Sequence, residues 1–174
     1  TDAALELKPY AASLSATAAA LRRVASSQGD GVRGSVRITA SEVISVEVLP
    51  PMLARLRETH PGLAIELVPS NQVEDLLHRE ADIAVRMLRP TQEALVARRV
   101  GGIEVGLHAH RRYLEAHGTP RTMHDLRKHA LVGWDRETAY LRQLQARFPD
   151  LSHPRFAFRA DSDVAQLAAI RAGM

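Results

Sequence analysis

Between Gly34 and Met87 the hydrophobic period switches from two residues to between three and four, and back, twice over. Val36, Ile38 and Ala40 alternate with Ser35, Arg37 and Thr39, which reads as a strand. Leu49, Met52, Leu53 and Leu56 then share one helical face, and "HPG" (His60 to Gly62) stops that helix. Leu63, Ile65 and Leu67 alternate again and end at Pro69, a short helix carries Val73, Leu76 and Leu77, and "DIAVRM" (Asp82 to Met87) forms a third strand. Strand, helix, strand, helix, strand predicts a parallel sheet with right-handed crossovers, hence an α/β lobe over residues 32–98.

After a loop from Leu88 to Arg99 the scheme restarts over residues 99–174. "IEVGLHAH" (Ile103 to His110), "ALVGW" (Ala130 to Trp134) and "RFAFRA" (Arg155 to Ala160) read as strands. Helices are expected around Tyr113 and Leu114, from Glu137 to Phe148, and from Ser162 to Arg171 with Gly173 at the stop; "TMHD" (Thr122 to Asp125) is a capping-box candidate. Two α/β lobes therefore stand in tandem.

Residues 1–28 differ: they are alanine-rich and free of glycine, and "SSQGDG" (Ser26 to Gly31) separates them from the rest as a linker. Leu7, Leu14 and Leu21 recur every seven residues, and Tyr10, Thr17 and Val24 follow each by three. That a/d seam predicts a long helix that pairs with a copy of itself, the alternative being a helix packed on its own domain. Pro9 should kink it or mark its true start.

The 174 residues contain no cysteine, which rules out disulfides, thiolate nucleophiles and thiolate metal sites. No apolar run spans a bilayer and nothing reads as a signal peptide, so a cytoplasmic protein without membrane contact is expected. A formal charge of +3 spread over scattered arginines is weak support for direct nucleic-acid binding. No GxGxxG, P-loop lysine or GxSxG motif is present and no acidic pair has acid–base spacing, so neither catalysis nor a cofactor is expected. His108 and His110 could face a metal from one side of a strand, but only His117 lies near in sequence and no metal site is assigned.

In open parallel sheets, ligands bind outside the carboxyl ends of the strands. Those ends are Ser41 and Glu42, Ser70 and Asn71, Arg86, Trp134, and Asp161 and Ser162. Several precede helices, so free backbone N–H groups should face the same space and favour an anion or carboxylate. Each has a plainer reading as well: Ser41 and Ser162 as helix N-caps, Ser70 and Asn71 as turn residues, Asp161 as cap chemistry, Arg86 as a salt-bridged sheet residue, Trp134 as core. Glu42 reads as facing solvent or supporting the helix start.

The order of segments resembles the effector-binding part of LysR-type transcriptional regulators. "TDAALELKPYA" is similar to the family's entry into its linker helix, "GSVRIT" to the first regulatory strand, and "LPPMLARLRETHPGLAIEL" to the following helix, break and strand. "ADIAVRM", "LVARRVG", "YLEAHGTP", "DLRKHALVGW" and "AAIRAGM" continue the match in order. The resemblance implies a periplasmic-binding-protein type II-like fold of two Rossmann-like lobes with a small effector in the interlobe cleft. It implies effector contacts at Ser41, Glu42, Ser70, Asn71, Trp134, Asp161 and Ser162, where the strand ends already fell. It further implies a cytoplasmic regulator, dimeric or tetrameric, that pairs through its linker helix. Its winged helix-turn-helix and C-terminal end are expected to lie outside this chain, so the chain alone should not read an operator. Glu42 beside Ser41 opposes a simple carboxylate unless Arg86 or helix dipoles outweigh it. A transporter's solute-binding protein would share the fold but leaves the seven-residue helix unexplained. An enzyme on the fold would need a convergent acid, base or nucleophile that no residue here supplies.

Overall fold

The computed structural model describes residues 1–26, 31–71, 81–87, 95–137, 139–148 and 156–174. Helix α1 (Asp2–Ser26) opens the chain. It continues through Pro9, which supplies no N–H for the carbonyl one turn earlier but neither starts nor ends the helix. Its half-buried or buried residues are Ser13, Ala16, Thr17, Ala19, Ala20 and Arg23, mostly small. These share one face, and through it α1 lies against β1 (Gly34–Ala40). The leucine seam is a separate face. Leu7, Tyr10, Leu14, Leu21 and Val24 are each 63–72% exposed, while Thr17 is half-buried and donates its hydroxyl to the Ser13 carbonyl.

β1 is the middle strand of a parallel sheet, between β2 (Leu63–Pro69) and β3 (Ile83–Val85). Register runs from Gly34 opposite Leu63 to Ala40 opposite Pro69, with Arg37 paired across to Glu66 at 2.8 Å. The carboxyl end of β1 is its best-buried part: Ile38, Thr39 and Ala40 are all buried. β3 is shorter than the expected Asp82–Met87, because only Ile83, Ala84 and Val85 find partners on β1. The expected helix at Val73, Leu76 and Leu77 lies outside the described residues.

A helix follows β1, but it begins with a wide π-helical stretch, Ile44–Val48, before α2 (Leu49–Thr59). The Leu49 N–H reaches the Ile44 carbonyl five residues back. Pro50 and Pro51 come next; neither can donate, and each ring crowds the carbonyl four residues earlier. A wider turn relieves that crowding, which is why the π stretch sits just before the prolines. The helix stops at His60, as expected.

Contacts gather the chain into two units, Thr1–Arg99 and Val100–Met174. In the second, α3 (Arg111–His117) leads to a 3-10 helix (Met123–Lys128), β4 (Leu131–Gly133), α4 (Ala139–Arg147), β5 (Phe156–Arg159) and α5 (Asp163–Arg171). β4 and β5 are parallel, with a register break between Leu131 and Val132. The Thr122–Asp125 capping box forms as expected. Tyr113, Leu126, Leu141 and Ala169 are buried; the Tyr113 hydroxyl accepts from the Ala130 N–H at 2.8 Å and meets His129 Nδ1 at 3.3 Å. Gly133 is required by packing, since a Cβ there would run into the Phe156 ring.

One expected element does not form. Ile103–His110 is not a strand, and Ile103, Val105 and Leu107 stand exposed. Its alternation is real, but a strand needs a neighbour to complete its ladder, and no strand pairs with it among the described residues. His108 and His110 therefore lose the shared strand face their spacing implied. His110 Nδ1 instead accepts from the Arg112 N–H and caps α3.

Candidate functional site

The carboxyl ends of β1, β2 and β3 bring together five of the residues singled out from the sequence. The ladder between β1 and β2 extends one bond further, from the Ser70 N–H to the Ala40 carbonyl at 2.8 Å, which seats Ser70 beside the β1 turn. Asn71 Oδ1 accepts from the Glu42 N–H at 3.0 Å. Ser41 holds the N-cap position, since its carbonyl accepts from the Ser45 N–H, but its hydroxyl does not do the capping: Asn71, just past β2, reaches across to take the first helical donor. Among the described residues the half-buried Ser41 hydroxyl makes no hydrogen bond. Beneath it, the buried Ser45 donates its hydroxyl to the Ala40 carbonyl at 3.1 Å and fixes the turn.

Arg86 follows β3, and its Nη2 donates to Thr39 Oγ1 at 2.9 Å. The guanidinium is therefore tied to β1 through the Thr39 hydroxyl. Thr39 and Ser45, which brace the candidate site, were not singled out from the sequence. Thr39 could have been found, since it precedes a strand end and carries a hydroxyl; Ser45 looks like any polar helix residue until its burial is seen.

At the opposite end of β3, Asp82 makes a dense set of bonds. Its carboxylate accepts from Arg23 Nε at 2.8 Å, Arg23 Nη2 at 3.1 Å and the Arg37 N–H at 2.8 Å. Its own N–H donates to the Arg37 carbonyl at 2.9 Å. Burial pushes this carboxyl up, but the Arg23 fork, the Arg37 amide and the two arginine charges outweigh burial and hold it below the ordinary carboxylate value.

The second unit gathers Trp134, Asp161 and Ser162 at the ends of β4 and β5. The Ala160 N–H donates to the Gly133 carbonyl at 2.9 Å, so both strands end together. Asp161 Oδ1 accepts from the N–H groups of Asp135 at 3.2 Å and Arg136 at 2.8 Å, and Oδ2 meets Arg136 Nε at 3.1 Å. The Asp161 carboxylate thus holds the turn after β4. Ser162 caps α5 by accepting from the Ala165 N–H, as its position predicted. Half-buried Trp134 donates Nε1–H to Asp163 Oδ1 at 3.2 Å, which ties the indole to the start of α5. Asp163 and Gln166, which donates to the Ala160 carbonyl at 2.7 Å, are the supports that sequence reasoning overlooked.

Parallel α/β units whose strands end in hydroxyl, amide and guanidinium groups define a small-molecule-binding class of domain. Within that class, this chain belongs to the family described as the LysR substrate binding domain, whose model matches residues 29–174. It is 29% identical over 97 residues to the HTH-type transcriptional activator AaeR of Escherichia coli K12, covering 56% of this chain and 31% of AaeR. It is 28% identical over 102 residues to the HTH-type transcriptional regulator CrgA of Neisseria meningitidis, covering 59% of this chain and 34% of CrgA. The chain thus spans about a third of the length of these relatives. The solved regulatory domain of N. meningitidis CrgA shares the fold, with TM-score 0.60, 21% identity, and 81% of this chain and 71% of that one covered. The full-length Vibrio cholerae virulence activator AphB matches at TM-score 0.53 and 25% identity, covering 78% and 47%. The fold is therefore that of LysR regulatory domains, type II periplasmic-binding-like, here preceded by a long helix. These relatives are regulators rather than transport proteins. Among the described residues no helix is long and apolar enough to cross a membrane.

Proposed function

We propose that this chain is the effector-sensing and self-associating part of a cytoplasmic, DNA-binding transcription regulator. A small molecule binds at the strand ends, and the regulator's DNA-reading part lies outside the chain. Residues 1–28 pair with a second copy through Leu7, Tyr10, Leu14, Thr17, Leu21 and Val24, giving a dimer or tetramer. Residues 32–98 and 99–174 form the two sensing lobes. Ser41, Glu42, Ser70, Asn71 and Arg86 supply contacts from the first lobe, and Trp134, Asp161 and Ser162 from the second. The chain performs no catalysis.

The observation that supports this most is the meeting of Ser41, Asn71, Ser70 and Arg86 at one sheet end, with a Ser41 hydroxyl that local structure does not use. A helix cap would have consumed it; here Asn71 does that work, and the hydroxyl is left for a ligand. Asp161 and Ser162 already hold structure, so in the second lobe Trp134 offers the surface best suited to stack on a ligand. The test is a thermal-shift screen against aromatic and aliphatic carboxylates. A ligand that raises the melting temperature of the parent should raise it much less in Ser41→Ala, whose ligand-free melting temperature stays within a degree or two of the parent's, roughly the effect of a neutral surface change. Equal shifts in both proteins would remove Ser41 from the site.

A further inference from the structure

We propose that β3 is a lever that links the strand-end site to helix α1, with Asp82 as its clasp on the helix and Arg86 as its handle in the site. This rests on the reading of the strand ends as the effector site. The clasp is built from both ends. Arg23, in the last turns of α1, is 7% exposed and grips Asp82 with two donors, Nε at 2.8 Å and Nη2 at 3.1 Å. Fork-to-carboxylate pairing fixes direction as well as distance, so it resists sliding as well as separation. Asp82 is in turn bonded to β1 through both backbone groups of Arg37. Pulling so well covered an arginine off its carboxylate breaks two charge-assisted bonds away from bulk water, which is costly. Helix α1 and the start of β3 must therefore move together.

Only Ile83, Ala84 and Val85 separate the clasp from Arg86. At about 3.3 Å per residue, the four steps from Asp82 to Arg86 cover about 13 Å of extended, hydrogen-bonded chain. Such a strand carries displacement along its length rather than absorbing it. The far end is held by the bond from Arg86 Nη2 to Thr39 Oγ1 at 2.9 Å, the contact a ligand at the strand ends would compete with. β3 is also the short outer strand, bonded to β1 at three positions, so it shifts more easily than β2, which is bonded at seven. Displacing Arg86 would move β3 on β1, and the clasp would pass that movement to α1.

The test needs no ligand, so its failure would overturn the lever and leave the reading of the strand ends as the effector site standing. The chain has no native cysteine, so Ser15→Cys on α1 and Glu58→Cys on α2 accept spin labels selectively; both positions are exposed. Labelled chain is diluted into unlabelled chain and the distance between the labels is measured by electron–electron resonance. Arg23→Gln should broaden the distance distribution, and Arg23→Lys, which keeps the charge but not the fork, should broaden it less. Arg86→Gln, at the other end of the strand, should shift or broaden it too, while hydrogen exchange at the Ile38 and Ala40 amides of β1 stays as in the parent. An unchanged distribution in Arg86→Gln would overturn the lever. If Arg23→Gln fails to fold, Arg86→Gln alone decides.

Discussion

At the level of single residues, the strand ends are tied together by side chains that lie far apart in the sequence. Strand ends follow from period and punctuation, so Ser41, Ser70, Arg86 and Trp134 could be found by counting. The partner of a side chain could not: the Asn71 that takes the helix cap from Ser41 arrives from 29 residues away, and Thr39 meets Arg86 across 47. Gly133 shows the same limit, reading as an ordinary strand glycine until the Phe156 ring is seen against its Cα. Gly133→Ala should lower stability by about 1–3 kcal/mol, the range for overpacking, as a denaturant titration would measure. Acid should find Asp82 as well. Its folded pKa lies below its ordinary value, so its contribution to stability is complete above that value and is lost as pH falls through the folded one. Unfolding free energy measured from pH 6 down to 2 should fall less steeply below pH 4 in Asp82→Asn than in the parent, since the variant has already lost that contribution.

At the level of elements, the long helix and the β1–α2–β2 run were the most readable parts, because both have strong, uninterrupted periods. Ile103–His110 was misread for a reason of the same kind in reverse: its alternation is clear, yet strand identity belongs to a pair of segments rather than to one. The π-helical stretch had a visible cause in Pro50 and Pro51, but the prolines as readily announce a helix start. Helix α1 turns small residues toward β1 and the seam toward solvent, so packing on its own domain leaves the seam open for the proposed pairing. Leu14→Lys with Leu21→Lys should therefore weaken self-association strongly in sedimentation while changing the unfolding of the sheet little, since neither side chain packs against it. Loss of the sheet in the same variant would mean that the seam serves folding instead.

At the level of the whole molecule, contacts part the chain after Arg99, where the strand–helix rhythm of the sequence restarts. The exposed chain there, outside any helix or strand, carries Arg98 and Arg99. Brief trypsin treatment should cut first after one of these two arginines, and mass spectrometry would show fragments that part at that point. An early cut inside β1 or β2 would contradict the described sheet. The outward-facing seam has one more effect. Helix α1 turns its small side chains inward and its large ones outward, the reverse of a helix that completes a solitary core. A lone molecule therefore carries a ribbon of oily surface that water tolerates poorly. Under the proposed pairing, its apparent size, solubility and resistance to heat depend on protein concentration, and a single value for any of them is incomplete without the concentration at which it was taken.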